Sequence, residues 1–188
     1  LPGLTEDDTA NTGVAVSTLL GARLADVDSG ALQGVALVGQ VAGNGAWQTS
    51  IDGGSTWQAL GAVSDGSALL LRATDRVRYV PDGANATSAS LQFRGWDTTS
   101  GSAGSLADAS VNGGSSAFSS ASDIASIDVL AANDAPVLTP AAPALPDITE
   151  DAGLHAGLQV ADLLGSSVAD VDAGALPGMA VTGLVPGN

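Results

Sequence analysis

Residues Trp47 to Trp57 read WQTSIDGGSTW, and this stretch decides between sheet and helix for the chain. Trp47, Ser50 and Ile51 on one side, and Thr56 and Trp57 on the other, suit extended backbone. Between them Asp52-Gly53-Gly54 makes a turn. The glycines reach positive φ without a side-chain clash, and the aspartate can accept hydrogen bonds from nearby amides. The expectation is a self-capped β-hairpin built on Ser50, Asp52, Gly54, Thr56 and Trp57.

The same pattern continues outward. Extended segments are expected at 35–41, 46–51, 56–60, 76–80, 89–96 and 117–130, separated by turns such as GNG, DGG and PDGAN. In SLQFRGW, Leu91 and Phe93 fall on one face and Gln92, Arg94 and Trp96 on the other. The short apolar runs STLLG and SALLLR fit a helical turn as well as a strand. Residues 98–116 form a long loop of small residues, a kind often functional or mobile. Many short strands with a turn signal about every ten residues suggest an all-β chain folded as a β-sandwich.

Internal repetition is the strongest signal. Residues 1–44 align without a gap on residues 145–188 at an offset of 144, with 23 of the 44 positions identical. LPGLTEDD returns as LPDITEDA, and LLGARLADVDSGALQG as LLGSSVADVDAGALPG. The expected organisation is one complete repeat over 1–134, a Pro/Ala-rich linker over 135–144, and the opening part of a second repeat over 145–188. Forty-four residues without cysteines seldom build a stable core alone. The trailing part is therefore expected to pack on the first repeat or against a neighbouring copy. The opening at Leu1-Pro2-Gly3, in mid-pattern and without a signal peptide, fits a segment of something longer.

The chain of 188 residues has no lysine, five arginines and twenty carboxylates, a net charge of −15. Such a surface repels phosphate backbones, so nucleic acid and anionic membranes are excluded as partners, and no apolar run approaches membrane-spanning length. At 45% hydrophobic residues the chain is expected to fold. Beyond Arg94 there is no basic side chain except His155, against eleven Asp or Glu. Ion pairs cannot neutralise that part, whereas a hard cation such as Ca²⁺, which takes oxygen ligands, could. A solvated acidic surface is the plainer alternative. The absence of cysteine removes disulfides, thiol nucleophiles and thiolate metal sites.

Three acidic clusters recur. Thr5-Glu6-Asp7 returns as Thr149-Glu150-Asp151, and Asp26-Val27-Asp28-Ser29-Gly30 as Asp170-Val171-Asp172-Ala173-Gly174. The third, Asn133-Asp134-Ala135-Pro136, stands at the junction. D-x-D-x-G projects two carboxylates from a tight turn, and its glycine lets carbonyls face an ion as well. For each cluster the structural alternative is a capping or turn role.

The stretch SIDGGSTW resembles the Asp box of bacterial sialidases, a motif that is generally structural and lies away from the catalytic centre. Sialidases hold their acidic sugar with a cluster of arginines and use a tyrosine nucleophile; this chain has five arginines, and its one tyrosine, Tyr79, lies in the run RVRYVP, which reads as an ordinary strand. ANDAPVL is similar to the inter-repeat linker of cadherins and of cadherin-like tandem repeats in giant bacterial surface proteins, including RTX-type adhesins. With TED, ADVDSGALQG and RVRYVP, the resemblance covers the whole chain. It implies a cadherin- or Ig-like antiparallel sandwich with Ca²⁺ held between successive repeats. Carried over, Asn133 and Asp134 are the linker ligands, Asp170 and Asp172 the next-repeat pair, and Glu6 the early glutamate. Asp26 and Asp28 are the corresponding pair of the first repeat, Glu150 serves one junction later, and Asp97 stands in for the late carboxylate. The linker has fewer acids than DxNDNAP, and no DRE element is present.

The resulting expectation is a non-catalytic, Ca²⁺-stabilised repeat of a large secreted bacterial adhesin or surface fibre, outside the cell. Its partners would be neighbouring repeats, other copies in a fibre, or surface glycans. The rival is a carbohydrate-binding module using exposed tryptophans and the 98–116 loop. No catalysis is expected, because His155, the single histidine, reads as a surface residue rather than a base.

Overall fold

The computed structural model describes residues 1–21, 33–154 and 156–185, and the chain divides into two compact units, Leu1–Ala132 and Asn133–Asn188. Asn133 and Asp134, read from the sequence as the end of the first repeat, belong to the second unit. Among the described residues no helix is long and apolar enough to cross a membrane.

The first unit is mainly β. In chain order it contains β1 (Leu4–Thr5), β2 (Val14–Ala15), the helical turn α1 (Val16–Leu20), β3 (Gly34–Val41), β4 (Gly45–Ser50) and β5 (Gln58–Ala59). There follow β6 (Ala68–Arg72), β7 (Arg76–Pro81), β8 (Thr87–Trp96), β9 (Leu106–Ala107) and β10 (Phe118–Leu130). Of the two ambiguous apolar runs, STLLG supplies the helical turn and SALLLR the strand β6. The expected strand at 56–60 is reduced to two residues, because the Asp52 turn takes up the stretch before it.

A six-stranded sheet runs β1-β10-β8-β3-β6-β9 and a four-stranded sheet β2-β7-β4-β5. The first is mixed, since β1 lies parallel to β10 (Leu4 beside Val129) while its other pairs are antiparallel. Period-2 alternation sends Val35, Leu37, Leu91 and Phe93 into a core shared with Trp47, Val77 and Tyr79 of the four-stranded sheet. Trp47 and Tyr79 meet edge to face, with ring centroids 5.1 Å apart.

The other face of β3 is buried too. Ala36 and Val38 pack with Ala68, Leu70, Trp96, Ala109 and Phe118. Ala107 and Ala109 of the 98–116 segment help to cover that face, and the segment is tied to the β6 edge by backbone hydrogen bonds of Leu70 with Ser105 and Gly104 and by Ala109 N–H donating to Asp65 C=O. Its small residues let backbone lie close on the sheet. A strand covered on both faces reads as the continuous apolar run VALV.

In the second unit, β11 (Val137–Leu138) pairs antiparallel with β12 (Val168–Ala169), and α2 (Val160–Leu164) is a single helical turn. Part of the stretch read as linker is thus a strand. Thr139 N–H extends the pairing to Ser167 C=O.

Candidate metal-binding carboxylates

Within the first unit, β1 places Glu6 at the end of β10. Glu6 N–H donates to Leu130 C=O at 3.0 Å, and Ala132 N–H donates to Glu6 Oε1 at 2.7 Å. The side chain is only 1% exposed, and its second oxygen, Oε2, has no hydrogen-bond partner among the described residues. A buried carboxylate oxygen left in this way is costly unless a cation or donor meets it. The turn that aims Glu6 is fixed by Asp8, whose Oδ2 accepts from the N–H and hydroxyl of Thr5.

The second unit gathers three of the sequence candidates. Asp134 N–H donates to Asp172 Oδ2 and Asp172 N–H to Asp170 Oδ1, each at 2.9 Å. Carboxylate oxygens of Asp134 and Asp172 lie within 4.8 Å of each other, a spacing at which one cation could hold both. Gly174, at φ 86°, lets the chain turn after Asp172, and Ala175 N–H closes the turn onto Asp172 C=O. The Asn133 side-chain amide donates to Asp134 C=O. Glu150 is exposed. Asp26, Asp28 and His155 lie outside the described residues.

Asp97 is not brought to Glu6 within the first unit. The register of β8 with β10 sets Thr87 beside Val129 and Trp96 beside Phe118, so Asp97 and Glu6 are at opposite ends of the first unit. The ten residues of β8 separate them, roughly 30 Å of extended chain. Asp97 is a turn residue: its Oδ1 accepts from the N–H and hydroxyl of Thr99, across Thr98 at φ 66°. As a junction ligand it is replaced by this role.

The hairpin around Asp52 closes on itself. Asp52 Oδ1 accepts from Ser50 Oγ and Thr56 N–H, and Oδ2 from Thr56 Oγ1, at 2.7–2.9 Å. Ser50 Oγ in turn accepts from Gly54 N–H. The backbone and side-chain bonds from Thr56, with that from Ser50, hold the Asp52 carboxyl well below its ordinary value.

Trp47 and Trp96 are each 2% exposed, and Trp57 is partly covered by the Arg78 guanidinium, 4.3 Å from its ring centroid. An exposed pair of tryptophans, the platform a sugar would need, is absent among the described residues. The Tyr79 hydroxyl is buried and donates to Ala42 C=O, and burial, then the charge of Asp82, pushes its pKa up.

Arginine use was not foreseen from the sequence. Arg76 donates to the carbonyls of Thr12 and Gly13, and Arg78 to that of Asn11 and to Gln48 Oε1. Arg72 bonds the buried Asp75, and Arg94 bonds Asp65. The signal for Asp75 was the turn Thr74-Asp75 between two strands, which asks for a cap. Comparison with protein families, curated proteins and solved structures gave no match.

Proposed function

We propose that this chain is a non-catalytic structural and adhesive repeat, stabilised by Ca²⁺, from a large secreted protein of a bacterial surface or fibre. Two facing sheets around one core suit the cadherin- or Ig-like sandwich that the linker ANDAPVL and the recurring D-x-D turns imply. The proposed ligands are Glu6, Asn133, Asp134, Asp170 and Asp172, with Asp26, Asp28 and Glu150 the matching residues of neighbouring junctions. Such repeats would extend a distal binding part from the cell or link cells in a biofilm.

The observation that carries this reading is Glu6 Oε2, a buried carboxylate oxygen without a donor among the described residues. The described arginines are engaged with backbone carbonyls, Gln48, Asp65 and Asp75. Among the described residues no arginine reaches this oxygen, and an all-oxygen set of carboxylates suits Ca²⁺.

Calorimetric titration of Ca²⁺ into the chelator-treated chain tests the reading. Saturable binding is expected, weakened at least about tenfold by Asp172→Asn because the ligand charge falls. Absence of binding, or equal affinity in the variant, would overturn the proposed site.

A further inference from the structure

Within the first unit the four-stranded sheet ends on β5 and the six-stranded sheet on β9. Between these two ends lies a cavity of about 240 Å³, lined in part by Thr49, Gln58 and Ala59 of one sheet and by Leu69 and Leu106 of the other. Register decides what faces it. Thr49 stands opposite Gln58, and alternation puts both on the inward face that Trp47 occupies. Leu106 stands opposite Leu69, which packs against the same core. Thr49 is 7% exposed, whereas Leu106, on an inward face, is 60% exposed. The four-stranded sheet stops at β5 without covering it.

The edge of β5 is also open along its main chain. Leu60 N–H donates to Trp47 C=O at 2.8 Å. Hydrogen-bonded pairs alternate in an antiparallel ladder, so Thr49 and Gln58 form the next such pair and Ala59 opposite Gln48 does not. The N–H and C=O of Ala59 therefore point away from β4, beside the cavity.

Charge selects the occupant. Among the described residues no charged side chain lines the cavity, so an ionised group inserted there would lose its hydration without a partner. Asp52 follows the lining residue Ile51, and Asp108 lies two residues beyond Leu106. Hydrogen bonds, from Thr56 to Asp52 and from Ser110 to Asp108, hold both carboxyls below their ordinary value and keep them ionised. Arg72, close by, is engaged by Asp75 and by the carbonyl of Ile51. A segment that enters here is favoured if it is apolar where it inserts and basic on either side. A second copy, itself at net charge −15, does not meet that description.

We infer that this edge docks an extended segment of another protein, apolar at alternate positions and flanked by Lys or Arg, as a fifth strand on β5. Its main chain pairs with Ala59, and its inward side chains enter between Thr49 and Leu69 and cover Leu106. Glu6 follows β1, at the opposite edge of the six-stranded sheet, so the docking site is separate from the proposed metal ligands.

The test titrates the chelator-treated full chain into a fluorescent, end-capped peptide, Lys-Thr-Val-Thr-Leu-Thr-Val-Lys, and follows anisotropy. Chelation keeps the result independent of calcium binding. Saturable binding is expected, weakened at least about tenfold when the two Lys are replaced by Glu. Two variants should weaken it as much, at least about tenfold: Leu106→Lys, which alters an exposed side chain, and Ala59→Pro, which removes only the outward N–H. Both should melt close to the wild type. At saturation, amide hydrogen exchange at Ala59 should slow at least about tenfold. The inference is overturned by absence of saturable binding, by equal affinity for the Glu peptide, or by either variant binding like the wild type. Protection of Ala59 that rises with protein concentration alone would also overturn it, by making a second copy the occupant.

Discussion

Asp52 and Asp97 illustrate how an aspartate is consumed by its own turn. Both spend a carboxylate on an N–H and a hydroxyl a few residues ahead, so the backbone is capped locally and little remains for a ligand. For Asp52 this has a consequence with pH. Its folded pKa lies below the ordinary 3.8, so its contribution is fully present above the unfolded value and is lost as pH falls through the folded one. Asp52→Asn should therefore melt below the wild type at pH 7, and the gap should narrow as pH is lowered below about 4. Thermal melts of both proteins across that range check this, and a gap independent of pH would contradict it. Lowered values at Asp82 and Asp108, from Asn85 and Ser110 respectively, act alike in both proteins and cancel.

Among the elements, β3 and its counterpart at 178–185 separate what a segment encodes from what its neighbours impose. A helical turn needs only its own residues, and α1 and α2 agree. A central strand needs partners on both edges, and only β3 has them. Gly34→Ala is expected to cost the first unit about 1–3 kcal/mol through the contacts with Leu71 and Trp96. Denaturant unfolding measures this, and a cost near zero would mean that the sheet yields at that point. The strands were legible because alternation and turn residues are local. β4, β7, β8 and β10 lie within two residues of their expected ends. Which strands pair was not legible, nor was the fate of 98–116, whose small residues read as a loop and help to cover a buried face. The candidate carboxylates were legible by repetition and by the D-x-D spacing. Asp97 was misplaced because sequence order does not say which end of a sheet a strand terminus reaches.

At the scale of the whole chain, the charge imbalance is decisive. Against a net charge of −15, two described arginines meet carboxylates and the others staple backbone to β7. Folding concentrates uncompensated negative charge, which opposes the compact state. Glu6 adds a buried oxygen without a donor among the described residues. A divalent cation bound there would relieve both, and binding only to the folded state would raise stability by about 2.7 kcal/mol at a hundredfold excess over the dissociation constant. The most direct measurement is the thermal unfolding of the chain in Ca²⁺ and after chelation, repeated for Glu6→Gln, which retains an acceptor for Ala132 N–H. Ca²⁺ should raise the melting temperature of the wild type, and Glu6→Gln should lose most of that gain. Superimposable curves with and without Ca²⁺ would contradict a calcium-stabilised repeat.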